Sequence, residues 1–390
     1  MNCFEPVYYS TFKCIANKCK DNCCIGWEID IDNNTLEKYK SIKGEFGKRI
    51  RSGITKCDNT HCFKLDEKER CVFLNENNLC DIIINLGEEN LCQICTDHPR
   101  YINEYLHITE YGIGTACEEV CRIILSQQEP VYLVDSETKK EITENPFKDN
   151  NYMAYLFEIR KIITDILQNR SYKINQRLLA VIQLCYKIEN DCHSNKSDNE
   201  LLSSIEHVKS YAKSLITDID NSDDKNSNIS KDFKSLKKLL CNIISNYISA
   251  EILDSKWLEL LKSTINNLNS QSEQKFTDTH TKLNNNININ LIFENFMVYL
   301  TYRYFLESYY DDMITEKILF LFSSYIVIKE ILIYTFSSNN SITFENIIEI
   351  IHNYSKEIEY SDCNLNYLCD CYSSEEVYRP DNIAKILRTV

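Results

Sequence analysis

The chain has 390 residues, 43% of them hydrophobic, which is enough for two domains or for one domain with a large extension. A formal charge of −15 with a pI near 5.1 argues against a phosphate-binding surface, so no nucleic-acid partner is expected. The same balance suits a lysine-rich protein partner, and it equally serves plain solubility.

The first residues, Met1 to Pro6, have neither a basic n-region nor an apolar h-region, so the expected setting is a reducing cytoplasm. That setting decides how the cysteines are read, because thirteen of the nineteen fall in the first 121 residues. Cys14, Cys19, Cys23 and Cys24 crowd one stretch, and Cys71 and Cys80 follow. Cys92 and Cys95 form a C-x-x-C with His98 three residues on, and Cys117 and Cys121 close the series. Thiolates are soft, strong ligands, and such spacings aim several sulfurs at one metal or iron–sulfur centre rather than at disulfides. A zinc ion or a cubane cluster takes four ligands, so either two centres form or several cysteines only pack. The radical-type spacing C-x3-C-x2-C is absent: counted from Cys19, its third position is Gly26. Cys57 and Cys62 lie in a polar loop with His61. Cys185, Cys192, Cys241, Cys363, Cys369 and Cys371 read as small buried hydrophobes.

Local signals in this third are irregular. Trp27 to Asp32 alternates apolar and polar residues, which predicts a short extended segment with Trp27, Ile29 and Ile31 inward. Asn33 to Lys40 predicts a helix capped by Asn33 or Asn34. Cys92 to His98 predicts a short helical turn stopped before Pro99. Gly112-Ile113-Gly114 is a lone G-x-G without βαβ alternation, so a Rossmann-type cofactor site is not expected. Glu118 to Gln127 predicts a helix with Cys117 at its head. A small cysteine-rich module of this kind usually needs a metal to fold.

The remainder follows different rules. All seven glycines precede residue 115, and Phe147 to Arg379 contains neither glycine nor proline, so nothing there penalises helix interiors. Met153, Leu156, Ile159, Ile163 and Ile166 recur at helical spacing, as do Leu178, Val181, Cys185 and Ile188. Further helices are predicted over Asp232 to Ile248, Trp257 to Asn267, Leu291 to Tyr310, Ile314 to Phe336 and Thr343 to Ile358. Ile318 to Phe336 is strongly apolar, but Lys329 and Glu330 interrupt it, so it reads as a buried helix and no membrane span is expected. Two polar tracts, 218–231 and 266–290, read as mobile loops. The expected fold is mainly α: a small irregular cysteine-rich module over 1–135 and an all-helical domain over 147–390.

Several anchors now combine. Phe12-Lys13-Cys14, Cys19, Asp21, Cys23-Cys24, Gly26-Trp27, Ile29, Ile31-Asp32 and Tyr39 resemble the signature of the flagellin lysine-N-methylase family. That family is similar to the wider YkgJ-like set of zinc- or iron-chelating cysteine domains. The likeness continues through Cys71, Leu79-Cys80, Leu91-Cys92, Cys95, Pro99-Arg100, Cys117 and Arg122 to Leu125, and beyond residue 150 it rests on Ser355 to Glu359. The resemblance implies methyl transfer from S-adenosylmethionine to lysine ε-amines of flagellin, with an iron–sulfur cluster (4Fe-4S) or else zinc held by the cysteines. Cys19, Cys23, Cys80, Cys95 and Cys117 are the expected ligands. Arg100 is a candidate partner for the donor's carboxylate, weighed against a purely structural ion pair. No catalytic residue is assigned. An aromatic group on one predicted helix, Tyr299, Tyr302, Tyr304, Phe305, Tyr309 and Tyr310 with Glu307, offers faces for a cation, although such spacing more often fills a core. The alternative is a non-catalytic zinc-stabilised binding module, or a metal or cluster carrier.

Overall fold

A computed structural model describes residues 2–57, 60–194, 196–223, 233–286 and 288–389. The chain begins with β1 (Asn2–Pro6) and, after two short 3-10 turns, enters a small module. This contains β2 (Asp30–Ile31), α1 (Asn33–Ser41), α2 (Gly44–Ser52), β3 (Ile54–Cys57), β4 (Thr60–Phe63), α3 (Asp81–Leu86) and α4 (Gln93–Asp97). The chain then returns to its first strand through β5 (Arg100–Tyr105), β6 (Ile108–Ile113), α5 (Glu118–Leu125) and β7 (Leu133–Asp135). The four strands form one sheet in the order β5-β6-β1-β7. In it β1 runs parallel to β6, with Cys3 opposite Thr109, and antiparallel to β7, with Glu5 opposite Val134. A second sheet has the order β2-β4-β3.

Helices follow: α6 (Asn151–Leu167), α7 (Ile174–Cys192), α8 (Asp198–Ser203), α9 (Ile205–Asp223), α10 (Phe233–Ser249), α11 (Ser255–Ser270) and α12 (Glu273–Asn286). The last are α13 (Ile289–Tyr304), α14 (Ser308–Asp311), α15 (Ile314–Asn339), α16 (Phe344–Glu357), α17 (Asp362–Ser374) and α18 (Pro380–Leu387). The fold is mainly α, with a cysteine-rich N-terminal region and an all-helical C-terminal part.

Two hydrophobic cores form. The smaller one holds Ile29, Ile31, Leu36, Tyr39, Ile50, Phe63, Phe73 and Ile82 with Cys71 and Cys92. The larger runs from Phe4 to Leu387 and takes in Ile108, Ile113, Val120 and Ile124. So β1, β6 and α5 share the helical core with Tyr8 and Phe12, and the segment from Cys24 to Cys95 has a core of its own. A buried ion pair locks sheet to helices: Arg160 of α6 meets Glu110 of β6 at 2.5 and 2.7 Å, with Glu110 fully buried. A carboxylate there requires such a partner, since an unpaired buried charge costs several kcal/mol, on the order of 3–5 when a partner is removed.

The expected periodic faces of α6 and α7 are buried as read. Five expectations change. The cap of α1 is Asp32, one residue before the expected asparagines; its carboxylate accepts from Thr35 N and Gln93 N at 2.9 Å each, so one side chain caps both α1 and α4. The extended segment shrinks to Asp30–Ile31: Ile29 and Ile31 are buried, but Trp27 is only half-buried and packs edge-on against Tyr360. The helix expected over 291–310 ends at Tyr304 and gives way to a 3-10 turn and α14. The tract at 266–290 is not a loop, because α11 runs to Ser270 and α12 occupies Glu273–Asn286. Phe276, His280 and Leu283 are buried at helical spacing, a stripe too sparse to stand out from its polar neighbours. The other tract is helical to Asp223, and 224–231 lies outside the described residues.

α12 also explains one of the two charges in α15, and the other is met within α15 itself. Glu330 meets His280 at 3.1 Å, and Lys329 donates to Tyr325 Oη at 2.8 Å. Among the described residues α15 is the one helix long and apolar enough to cross a bilayer, and 89% of its most apolar window is buried inside the fold.

Candidate functional site

Where α4 turns into β5 through the cis His98–Pro99 bond, a cleft of about 520 Å³ opens between the small module and the helical part. Its walls include Asp30, Asp32, Thr60, His61, Asp97, His98 and Arg100, and Tyr360 closes it from the helical side. The carboxylates are held in place: Thr60 Oγ1 donates to Asp30 at 2.9 Å, and Gln93 Nε2 to Asp97 at 2.7 and 2.9 Å. His98 is different. Burial, helped by the charge of His352, lowers its pKa to about 4, and its Nε2 is buried with no hydrogen-bond partner. Arg100 lies over the Phe12 ring at 5.3 Å and beside Tyr9.

Behind Tyr360 lies a buried polar network. Arg303 of α13 sits among the rings of Tyr101, Tyr360 and Tyr304, at 4.6, 5.0 and 5.2 Å from their centroids. Its Nη1 donates to Tyr299 Oη at 2.7 Å and to Glu359 at 3.2 Å. Glu359, fully buried, also accepts from Thr115 Oγ1 (2.8 Å), Tyr299 (2.9 Å) and Tyr304 (3.0 Å). The second glycine of the G-x-G makes this packing possible. A Cβ on Gly114 would come within 2.3 Å of Tyr360 Oη and 3.2 Å of Arg303 Nη1. Gly114 is therefore a close-approach glycine, not part of a phosphate loop.

A second node ties the cysteine stretch to α16. Asp21 Oδ2 lies 2.7 Å from His352 Nε2 and 2.8 Å from Lys356 Nζ. Burial pushes the Asp21 pKa up, but these two partners outweigh it and hold it at about 2. Lys356 also stands over Trp27, and His352 Nδ1 is buried without a partner.

The expected ligands fall into two neighbourhoods. Cys80 and Cys95 line the small core, in the company of Cys24, Cys71 and Cys92, which were not among the expected ligands. There Cys24 hydrogen-bonds the Cys23 sulfur and Cys95 that of Cys92, which lowers the pKa of Cys23 and Cys92 and raises that of their donors. Cys19 and Cys117 lie on the other side. Cys19 Sγ is 3.5 Å from a Glu118 oxygen and is pushed up to about 12 by burial, then by Glu118 and Cys117. Burial likewise raises Cys117, at the head of α5, to about 12. Cys23 is within electrostatic reach of both Cys80 and Cys117. Cys121 packs in the larger core against Ile348 O. Contrary to the expected polar loop without disulfides, Cys57 and Cys62 lie on the β3–β4 hairpin and form a disulfide, and their sulfurs and a Glu28 carboxylate oxygen lie within 4.8 Å of one another.

The aromatic group expected on one helix is split between α13, the 3-10 turn and α14, and does not form one pocket. Tyr299 and Tyr304 reach Glu359, but Tyr302 donates to Tyr111 O, Tyr310 to Glu104 O, and Glu307 pairs with Lys317. Sequence reasoning did not single out Arg303, His352 or Tyr360. Glu359 ends the Ser355–Glu359 stretch and Tyr360 follows it directly, so the family likeness of that stretch was the nearest signal.

A model of the FliB lysine N-methylase C-terminal domain matches residues 160–386. Over 149 residues the chain is 28% identical to the lysine-N-methylases of Salmonella typhimurium and Salmonella choleraesuis. The match covers 37% of this chain and 36% of each relative, so only about a third of either methylase is spanned. Over 140 residues it is 28% identical to the flagellar biosynthetic protein FliU of Salmonella muenchen, covering 34% of this chain and 83% of that protein. No solved structure matches.

Proposed function

The chain belongs to the FliB lysine N-methylase family, and on that premise we propose that it methylates lysine ε-amines of flagellin in the cytoplasm, with S-adenosylmethionine as donor. The observation that carries this is the cleft between the cysteine module and Tyr360. Its volume lies within the several hundred Å³ usual for cofactor-sized ligands, roughly 300–1,000 Å³.

The chemistry sets the requirements. A lysine near pKa 10.4 is only about 0.04% neutral at pH 7, and making its lone pair available costs roughly 4–5 kcal/mol. Asp30, Asp32 and Asp97 on the rim attract the incoming ammonium. His98 is neutral at pH 7 and has a free buried ring nitrogen, so it can accept a hydrogen bond from the amine once the proton has gone. With a pKa near 4 it does not store that proton, which leaves along the acidic rim to water. The Tyr360 ring offers its face to a sulfonium or an ammonium, and the guanidinium of Arg100 can pair with the donor's carboxylate. Nitrogen then takes the methyl as the carbon–sulfur bond breaks.

By number the thiols of the small core suit a metal group, offering more soft donors than a four-ligand centre needs. Among the described residues, however, no three of their sulfurs lie within 4.8 Å of one another, a spread wider than a single zinc ion takes. Cys24, Cys71, Cys80, Cys92 and Cys95, with Cys23 at the edge, would hold it. An iron–sulfur cluster in that place supplies one-electron chemistry, and a zinc ion supplies folding energy. The second of these favours the reading of a zinc-stabilised binding module, supported by the fact that thiols occupy positions where a small core would otherwise need apolar side chains.

Incubation of anaerobically prepared full-length protein with purified flagellin and methyl-labelled S-adenosylmethionine should place label on lysine. No incorporation overturns the proposal. Gly114→Ala should push Tyr360 out of place and cut incorporation at least about tenfold, a loss of roughly 1.4 kcal/mol in transition-state stabilisation, while the far-ultraviolet circular dichroism stays native. Unchanged rates in that variant would remove Tyr360 from the site.

A further inference from the structure

Glu28, Cys57 and Cys62 stand apart from the thiols of the small core, and the methyl-transfer chemistry has no use for them. The β2-β4-β3 sheet assembles them. Phe63 N donates to Ile29 O at 3.1 Å and Asp30 lies opposite Cys62, which sets the segment carrying Glu28 alongside β4. Cys57 opposite Thr60 and Thr55 opposite Cys62 place the two cysteines diagonally across the β3–β4 hairpin. Among the described residues this is the one trio of thiol, imidazole or carboxylate ligand atoms that all lie within 4.8 Å of one another.

We propose that the reduced trio is a divalent-metal site of the zinc class, and that metal and disulfide are alternative clasps on the same hairpin. Two thiolates and a carboxylate are a zinc-type donor set, and three protein ligands leave a fourth position for water. Glu28 is exposed, Cys57 half-buried and Cys62 buried, so an ion can enter from one side and be gripped from the other. Both thiols lose their protons on binding, so the site fails in acid. Under oxidation the two thiolates give up two electrons and join. A hydroperoxide takes the electrons with two protons, leaving as alcohol and water, and the metal departs. Thr60 and His61 lie between the two cysteines and line the cleft, so either clasp holds one of its walls.

The test uses full-length protein, reduced and loaded with zinc without oxygen, and compares wild type with C57S/C62S, E28Q and, as a control, K56A. Wild type and K56A should bind one zinc ion more per chain than the double variant. E28Q should weaken that ion at least about tenfold in chelator competition, as loss of groups that hold a metal typically does. Hydrogen peroxide should release one equivalent from wild type that the double variant never held, and the tryptic peptide 57–64 should become lighter by two hydrogens. A natively folded double variant that binds as much zinc as wild type overturns the proposal. Should the double variant fail to fold, unchanged zinc affinity in E28Q overturns it instead.

Discussion

His98 stands beside three carboxylates yet stays uncharged, and burial is the cause. Its folded pKa near 4 lies below the unfolded value near 6.5, so between those limits the unfolded chain binds more protons. The stabilisation is therefore complete above about pH 6.5 and is lost as pH falls toward 4. Urea unfolding should show wild type losing at most about 2 kcal/mol from this group between pH 6.5 and 5. His98→Gln should flatten that part of the profile; an unchanged slope would mean the imidazole is not shielded. The sequence marked position 98 only as a histidine after a C-x-x-C, because burial is set by the folded chain and the charge that adds to it, that of His352, is remote in sequence. Glu359 shows the same limit: its four donors come from Thr115 and α13, and no local pattern announces them.

At the level of elements, what could be read depended on how crowded the apolar stripe is. α6, α7, α10, α15 and α16 carry dense periodic faces and appear within a few residues of where the sequence placed them. α12 was missed because Phe276, His280 and Leu283 are its only strong markers amid asparagine, threonine and lysine. That omission hid the partner of Glu330 and left that charge in α15 unexplained. Lys329 remains the costly one. Burial lowers its pKa to about 8, so below pH 8 the folded state must carry a cation there that the unfolded chain keeps in water. Stability should rise as pH climbs from 8 toward 10.5, where the folded lysine has already lost its proton and the unfolded one still holds it. Lys329→Met should stabilise the protein by about 1–3 kcal/mol at pH 7, read from the urea midpoint. A destabilised variant would show that the hydrogen bond to Tyr325 outweighs the cost of desolvation.

For the molecule as a whole, two cores mean two cooperative units. If the proposed metal group sits among the thiols of the smaller core, that core should depend on it, whereas the larger core, built from apolar side chains, should not. Heating metal-loaded protein should therefore give two transitions, and a strong chelator should lower the first by several degrees, on the order of 4–8 °C per kcal/mol for a unit of this size, and leave the second in place. A single transition that moves as one would argue that the cores are coupled. The divided architecture was half visible in the sequence: the glycine-rich, cysteine-rich start and the glycine-free remainder announce two kinds of structure, but not that β1 belongs with the second. That placement has a consequence for biogenesis. A ribosome delivers β1 well before its sheet neighbours at 108–113 and 133–135, which emerge only after the whole small module has been made. The nascent strand must wait, its edges unsatisfied, while the module folds, so whatever slows the folding of the module delays the closing of the sheet.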